Sequence, residues 1–148
     1  MALKKIAACV LLAVACATRS ATTQQVERSA IYEVFVRDFS PSGTFQGVID
    51  GLDRVQQVDA NVVWLMPIYP IGKLNRKGTF GSPYSVADYR AINPAFGTEA
   101  DFRQLVHAVH ARGMKLILDF VPNHTAFDHV WVTKFPNRYT HDSTGKIS

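Results

Sequence analysis

Apolar residues recur along the chain with two different periods. From Ile31 to Phe39, IYEVFVRDF alternates apolar and polar positions with β-branched and aromatic side chains, and Pro41-Ser42-Gly43 ends the run, which predicts a first strand. Val48, Ile49, Leu52, Val55 and Val58 then follow at helical spacing, so an amphipathic helix is expected from Thr44 to about Ala60. NVVWLMPIY, beginning at Asn61, is a nearly continuous apolar stretch that Pro67 closes, and it reads as a second strand.

Residues 70–97 carry four glycines and three prolines and hold no sustained period. A loop of that length is uncommon in a compact domain unless it is functional. Thr98 then caps a second helix with Asp101 three positions on, and Phe102, Leu105, Val106 and Val109 supply its apolar face up to the stop at Gly113. LILDFVPNH, Leu116 to His124, follows as a third strand, expected to be buried on both faces. The order strand, helix, strand, long loop, helix, strand gives two overlapping βαβ units, an α/β class with a parallel sheet. Three such strands close nothing by themselves, and from Pro122 to Ser148 the chain is polar and aromatic without a clear period.

The first residues break from this pattern. Lys4 and Lys5 precede an apolar stretch from Ile6 to Ala17, too short for a permanent membrane helix and right for a secretory signal, so export is expected. Ala15-Cys16-Ala17 offers cleavage after Ala17, with residues 18–29 as a leader; the rival is a lipoprotein signal, Ala13-Val14-Ala15-Cys16, with a lipid anchor on Cys16. Both cysteines, Cys9 and Cys16, lie in this leader, so no disulfide framework holds the remaining chain. Losing Lys4 and Lys5 takes 16 basic residues to 14 against 12 acids and the charge from +4 to +2. The remaining positive residues are scattered among acids, which argues against a nucleic-acid interface and a basic membrane helix.

In parallel α/β architectures the sites form at the carboxyl ends of the strands, where Asp38, Tyr69, Asp119, Asn123 and His124 fall. Asp38 beside Arg37 reads most simply as a charge at a strand terminus, and Tyr69 as rim packing. Asp119 is different: a carboxylate among Leu116, Ile117, Leu118 and Phe120 needs a cation or several donors to stay ionised. Its bland reading is a structural salt bridge, and Asn123 and His124 read blandly as a strand-ending turn. His107 and His110 share a helix face without a third ligand near in sequence, and His129 and His141 have no assignable place. No glycine-rich phosphate loop, nucleophile elbow or cysteine metal site occurs, which sets nucleotide, serine-hydrolase and zinc-thiolate chemistry aside.

DFVPNH, Asp119 to His124, resembles the first signature region of the α-amylase superfamily (glycoside hydrolase family 13), in which an Asp, a variable pair and Asn-His close the third barrel strand. IYEVFVRDF is similar to the family's first strand and NVVWLMPIYP to its second, and the stretch from Gly81 to His124 follows the family's pattern almost without a gap. The resemblance covers residues 30–148. It implies part of a TIM (β/α)8 barrel: the first three strands, two helices and the start of the inserted domain B. It implies that Tyr84 is the aromatic that stacks under the sugar beside the cleaved bond, that His124 hydrogen-bonds that sugar, and that Asp119 helps organise the site without being a catalytic carboxylate. Asn123 matches a calcium ligand of many members, and Asp88 a position that shapes the loop under the site.

The chemistry implied is cleavage of α-1,4-glucosidic bonds in starch or maltodextrin by a retaining double displacement between two carboxylates about 5 to 5.5 Å apart. In the family those carboxylates follow later strands, so the 148-residue chain is expected to carry the binding floor without the catalytic pair and to be inactive alone. SPSGTFQG, after the first strand, lacks the alternating Asp and Asn residues by which some members hold calcium there. A non-catalytic carbohydrate-binding relative and a transglycosylase or isomerase of the same superfamily are the alternatives, because water and a sugar hydroxyl compete for one intermediate.

Overall fold

The structure is a computed structural model that describes residues 29–148. The expected signal segment, the candidate lipidation residue Cys16 and nearly all of the expected leader lie outside these residues. Three parallel strands, β1 (Ile31–Val34), β2 (Val62–Leu65) and β3 (Lys115–Leu118), pair in chain order. Glu33, Trp64 and Ile117 lie abreast in one row of the sheet and Val34, Leu65 and Leu118 in the next. Parallel pairing brings all three carboxyl ends to one edge, and the ladder runs one step further where Asp119 N–H donates to the Leu65 carbonyl at 2.9 Å.

The first strand is shorter than its alternating pattern predicts. After Val34 the chain turns into a single helical turn, α1 (Val36–Phe39), in which the N–H groups of Asp38 and Phe39 both donate to the Phe35 carbonyl. The turn still buries Val36, which is why the alternation persists in the sequence. The Arg37 guanidinium lies 4.6 Å from the Phe35 ring centre and 5.0 Å from that of Phe80. Asp38 is exposed and 3.8 Å from Arg37, in keeping with its bland reading as a terminal surface charge.

The expected helix from Thr44 to Ala60 is two shorter ones, α2 (Phe45–Asp50) and α3 (Leu52–Gln56), meeting at Gly51. The break follows from packing. A Cβ at Gly51 would stand 2.5 Å from Cε1 and 2.9 Å from Cζ of Phe39, whose ring packs on the core and beneath the Arg54 guanidinium. Gly51→Ala should therefore lower stability by about 1–3 kcal/mol, although alanine is the better helix former, because the ring has to leave its place. Urea unfolding of the longest folded form of the protein checks this; a raised midpoint would show that the ring yields freely.

The second helix, α4 (Glu99–Ala111), begins as its sequence predicts. Thr98 Oγ1 accepts the Asp101 N–H and the Asp101 carboxylate accepts the Thr98 N–H at 2.7 Å, a reciprocal cap. Hydrogen bonds from the Thr98 hydroxyl, then from its backbone, hold the Asp101 carboxyl below the usual range.

The core lies between one face of the sheet and the helices, with Val34, Val63 and Leu65 from the strands against Phe45, Val48, Leu52, Leu105 and Val109. Burial on both faces of β3 is corrected. Ile117, on the face away from the helices, is 44% exposed, and Leu118, on the helix side, is 39% exposed at the open end of the strand. Beyond it come a short helix, α5 (Val130–Lys134), a single 3-10 turn at Pro136–Arg138 and an antiparallel bridge between His141 and Ile147.

Candidate functional site

Strand side chains alternate between faces, so Lys115 and Ile117 share the face away from the helices, and Asp119 continues that row past the end of β3. At that edge Asp119 meets the long loop. The Tyr84 hydroxyl donates to Asp119 Oδ2 at 2.9 Å. The phenol is pushed above its ordinary pKa by burial first, then by this hydrogen bond and the charges of Asp119 and of Glu33 on β1. Tyr84 is thus protonated and a donor at neutral pH. The acid takes a tyrosine for its partner where a salt bridge was the bland expectation.

Tyr84 and His124 line one cleft of about 300 Å3, whose other walls include Gly81, Ser85, Arg76 and Phe127. His124 is exposed and its Nδ1 lies 3.5 Å from the Asn123 side-chain nitrogen. The structure therefore brings Tyr84, Asp119 and His124 together at the carboxyl edge of the sheet. A half-buried ring, a carboxylate at its hydroxyl and an accessible imidazole make a surface that can take the apolar face of a pyranose and bond its hydroxyls.

The loop is held there by a polar tie. Asp128 accepts the N–H groups of Lys73 at 2.7 Å and Leu74 at 3.2 Å. Burial would raise its carboxyl, but these backbone donors and the Arg76 charge outweigh that and leave it below the usual range. Arg76 itself donates to the carbonyls of Gly72, Ile71 and Thr79, so it braces the loop from within. Gly72 allows the close approach: a Cβ there would fall 2.3 Å from that of Ala126.

Tyr69 packs edge-on against Tyr89 with ring centres 5.4 Å apart, and burial and then the Asp119 charge raise its pKa, which places this rim residue beside the site. Asp88 is exposed and accepts the Arg90 N–H at 2.8 Å, closing the turn that carries Tyr89. His107 and His110 sit exposed on α4, and His141 is exposed in the terminal bridge.

His129, like His141, has no place assigned by spacing, and the structure gives it one. It is 3% exposed, its Nδ1 accepts the Trp131 N–H at 3.0 Å, and its buried Nε2 meets no partner among the described residues. Burial lowers its pKa, against the raising charges of Asp88 and Asp128. Together with Tyr89 and Trp131 it forms a packed aromatic wall behind the site. Neither Tyr89 nor His129 carries a periodic signal; an aromatic next to Asp88 is the only hint of Tyr89, and Glu33 shows only as a polar position of the alternating IYEVFVRDF run.

Calcium takes six to eight oxygen ligands. Asn123 offers one exposed side-chain oxygen, and the described residues hold no group of three His, Cys, Asp or Glu side chains placed for a metal. These residues do not compose a calcium site by themselves.

Comparison with known proteins agrees with this fold. Residues 18–144 match the family model for the alpha amylase catalytic domain. The crystal structure of an alpha-amylase from Lactobacillus plantarum superposes with a TM-score of 0.78 and 48% identity, over 81% of this chain and 28% of that one. A noncanonic maltogenic alpha-amylase from Thermotoga neapolitana gives a TM-score of 0.72 and 40% identity, over 78% and 28% of the two chains. An oligo-1,6-glucosidase of a Bacillus species is 37% identical over 119 residues, which are 74% of this chain and 21% of that protein. The chain spans about a fifth of the length of the curated relatives it matches. Parallel strands in chain order, helices on one face and the carboxyl-edge cluster are thus the opening segment of a (β/α)8 barrel, and the chain belongs to the alpha-amylase catalytic-domain family of glycoside hydrolases.

Proposed function

We propose that this chain forms the sugar-binding floor of an exported α-glucan hydrolase that cleaves α-1,4 bonds of starch or maltodextrin with retention. The observation that carries the reading is the hydrogen bond from Tyr84 to Asp119 at the end of β3, with His124 on the wall of the same cleft. Tyr84 takes the glucose face, His124 bonds a hydroxyl of that ring, and Asp119 fixes the phenol and supplies further acceptor capacity. The two carboxylates of a retaining displacement come from strands beyond the third in this reading, and Asn123 contributes one oxygen to a calcium site completed by other segments.

The α-1,4 preference is supported by the two alpha-amylase structures, at 48% and 40% identity. Export rests on Lys4, Lys5 and the apolar stretch after them, with Cys16 as the point of lipid attachment if the Ala13-Val14-Ala15-Cys16 signal is the one used. The test is a polypeptide that continues past Ser148 through the remaining strands, assayed on maltotriose, starch and isomaltose. Release of reducing sugar from maltotriose and starch well above that from isomaltose is expected. Preference for isomaltose would overturn the linkage, and binding of glucan without cleavage would favour a non-catalytic relative.

A further inference from the structure

The backbone of residues 120–125 carries Asn123 and His124 and belongs to no strand or helix. Sheet pairing ends at the Asp119 N–H, and the next main-chain bond from this segment is the Ala126 N–H to the Val86 carbonyl at 2.8 Å. Between these points one side chain from another segment holds the main chain among the described residues. The Tyr89 hydroxyl stands 2.7 Å from the Val121 carbonyl oxygen and 2.9 Å from that of His124. Its single proton is shared between two acceptors that bracket Pro122 and Asn123.

The hydroxyl is set there by its ring. Tyr69 and Phe120 contact the Tyr89 ring edge-on with centres 5.4 Å away, and His129 and Trp131 lie at 5.7 and 5.9 Å. Rings at these separations pack favourably and leave the phenol little freedom. We propose that Tyr89 is a positioning residue: its hydroxyl clamps the carbonyls of Val121 and His124 and thereby holds the His124 imidazole against a bound glucose ring. The sugar contact in this statement rests on the function proposed above; the clamp itself does not.

Tyr89→Phe is the informative variant, because it keeps the ring among its four neighbours and removes only the donor. In the full-length protein, the side-chain 1H–15N signals of His124 should shift or broaden without ligand. Maltotriose should bind about 5- to 10-fold more weakly, the loss expected for one hydrogen bond between neutral groups. In a His124→Ala background the same Tyr89→Phe change should cost ~2-fold or less, since a residue acting through His124 has nothing left to position. A purely structural role would give equal losses in both backgrounds and leave the imidazole signals in place, and that result overturns the proposal. If the unmodified protein binds no maltotriose while Tyr89→Phe still moves the His124 signals, the clamp stands and the sugar-floor reading falls.

Discussion

Replacing Tyr84 by alanine is expected to lower kcat/KM on maltotriose about 100-fold in the full-length protein, an effect near 3 kcal/mol. Two contributions add. Losing the ring forfeits roughly 1.5 kcal/mol of apolar contact and stacking with a pyranose face. Losing the hydroxyl also strips Asp119 of the donor 2.9 Å away, leaving a half-buried carboxylate short of a partner. Tyr84→Phe separates the two, because it keeps the stacking surface; about 10-fold is expected from the hydroxyl alone. Steady-state kinetics on the three proteins decides the matter. Activity of the alanine variant within ~3-fold of the parent would mean that no sugar lies on this ring.

How far the sequence announces this arrangement differs from element to element, and the differences have physical causes. The β2 run and the Thr98 cap are local signals, a continuous apolar stretch and a short reciprocal motif, and both appear as expected. The first strand ends four residues after it begins, because the period of IYEVFVRDF records which side chains are buried and a helical turn at Val36 buries the same ones. The helix break at Gly51 answers to Phe39, twelve residues earlier, and no window centred on the helix contains that contact. Asp119 is visible as an acid among apolar neighbours, but its partner is a tyrosine 35 residues away in a loop with no period. Only the resemblance brought Tyr84 forward. The Tyr89 clamp lies deeper still: its acceptors are backbone carbonyls, which the identity of Val121 and His124 does not encode.

A polypeptide of residues 1–148 by itself is expected to release no sugar from starch and to unfold over a broad, weakly cooperative range while binding a hydrophobic dye. Among the described residues, the outer edges of β1 and β3 pair with no other strand, and the face of the sheet away from the helices is uncovered. Ile117 on that face, Leu118 and Phe120 at the open end of β3, and Trp131 and Phe135 beyond it are exposed apolar side chains in a chain that covers 28% of the Lactobacillus plantarum alpha-amylase it matches. An open parallel edge beside such a surface invites pairing with another copy, so light scattering should rise with concentration. Folded domains rest on margins of only ~5–15 kcal/mol, and one layer of helices over three strands leaves much of that burial unmade. Calorimetry and a reducing-sugar assay on the purified polypeptide read both halves of the expectation. A sharp, reversible melt from a monomer would mean that this one-sided core holds unaided, and steady turnover would mean that carboxylates within residues 1–148 perform the displacement.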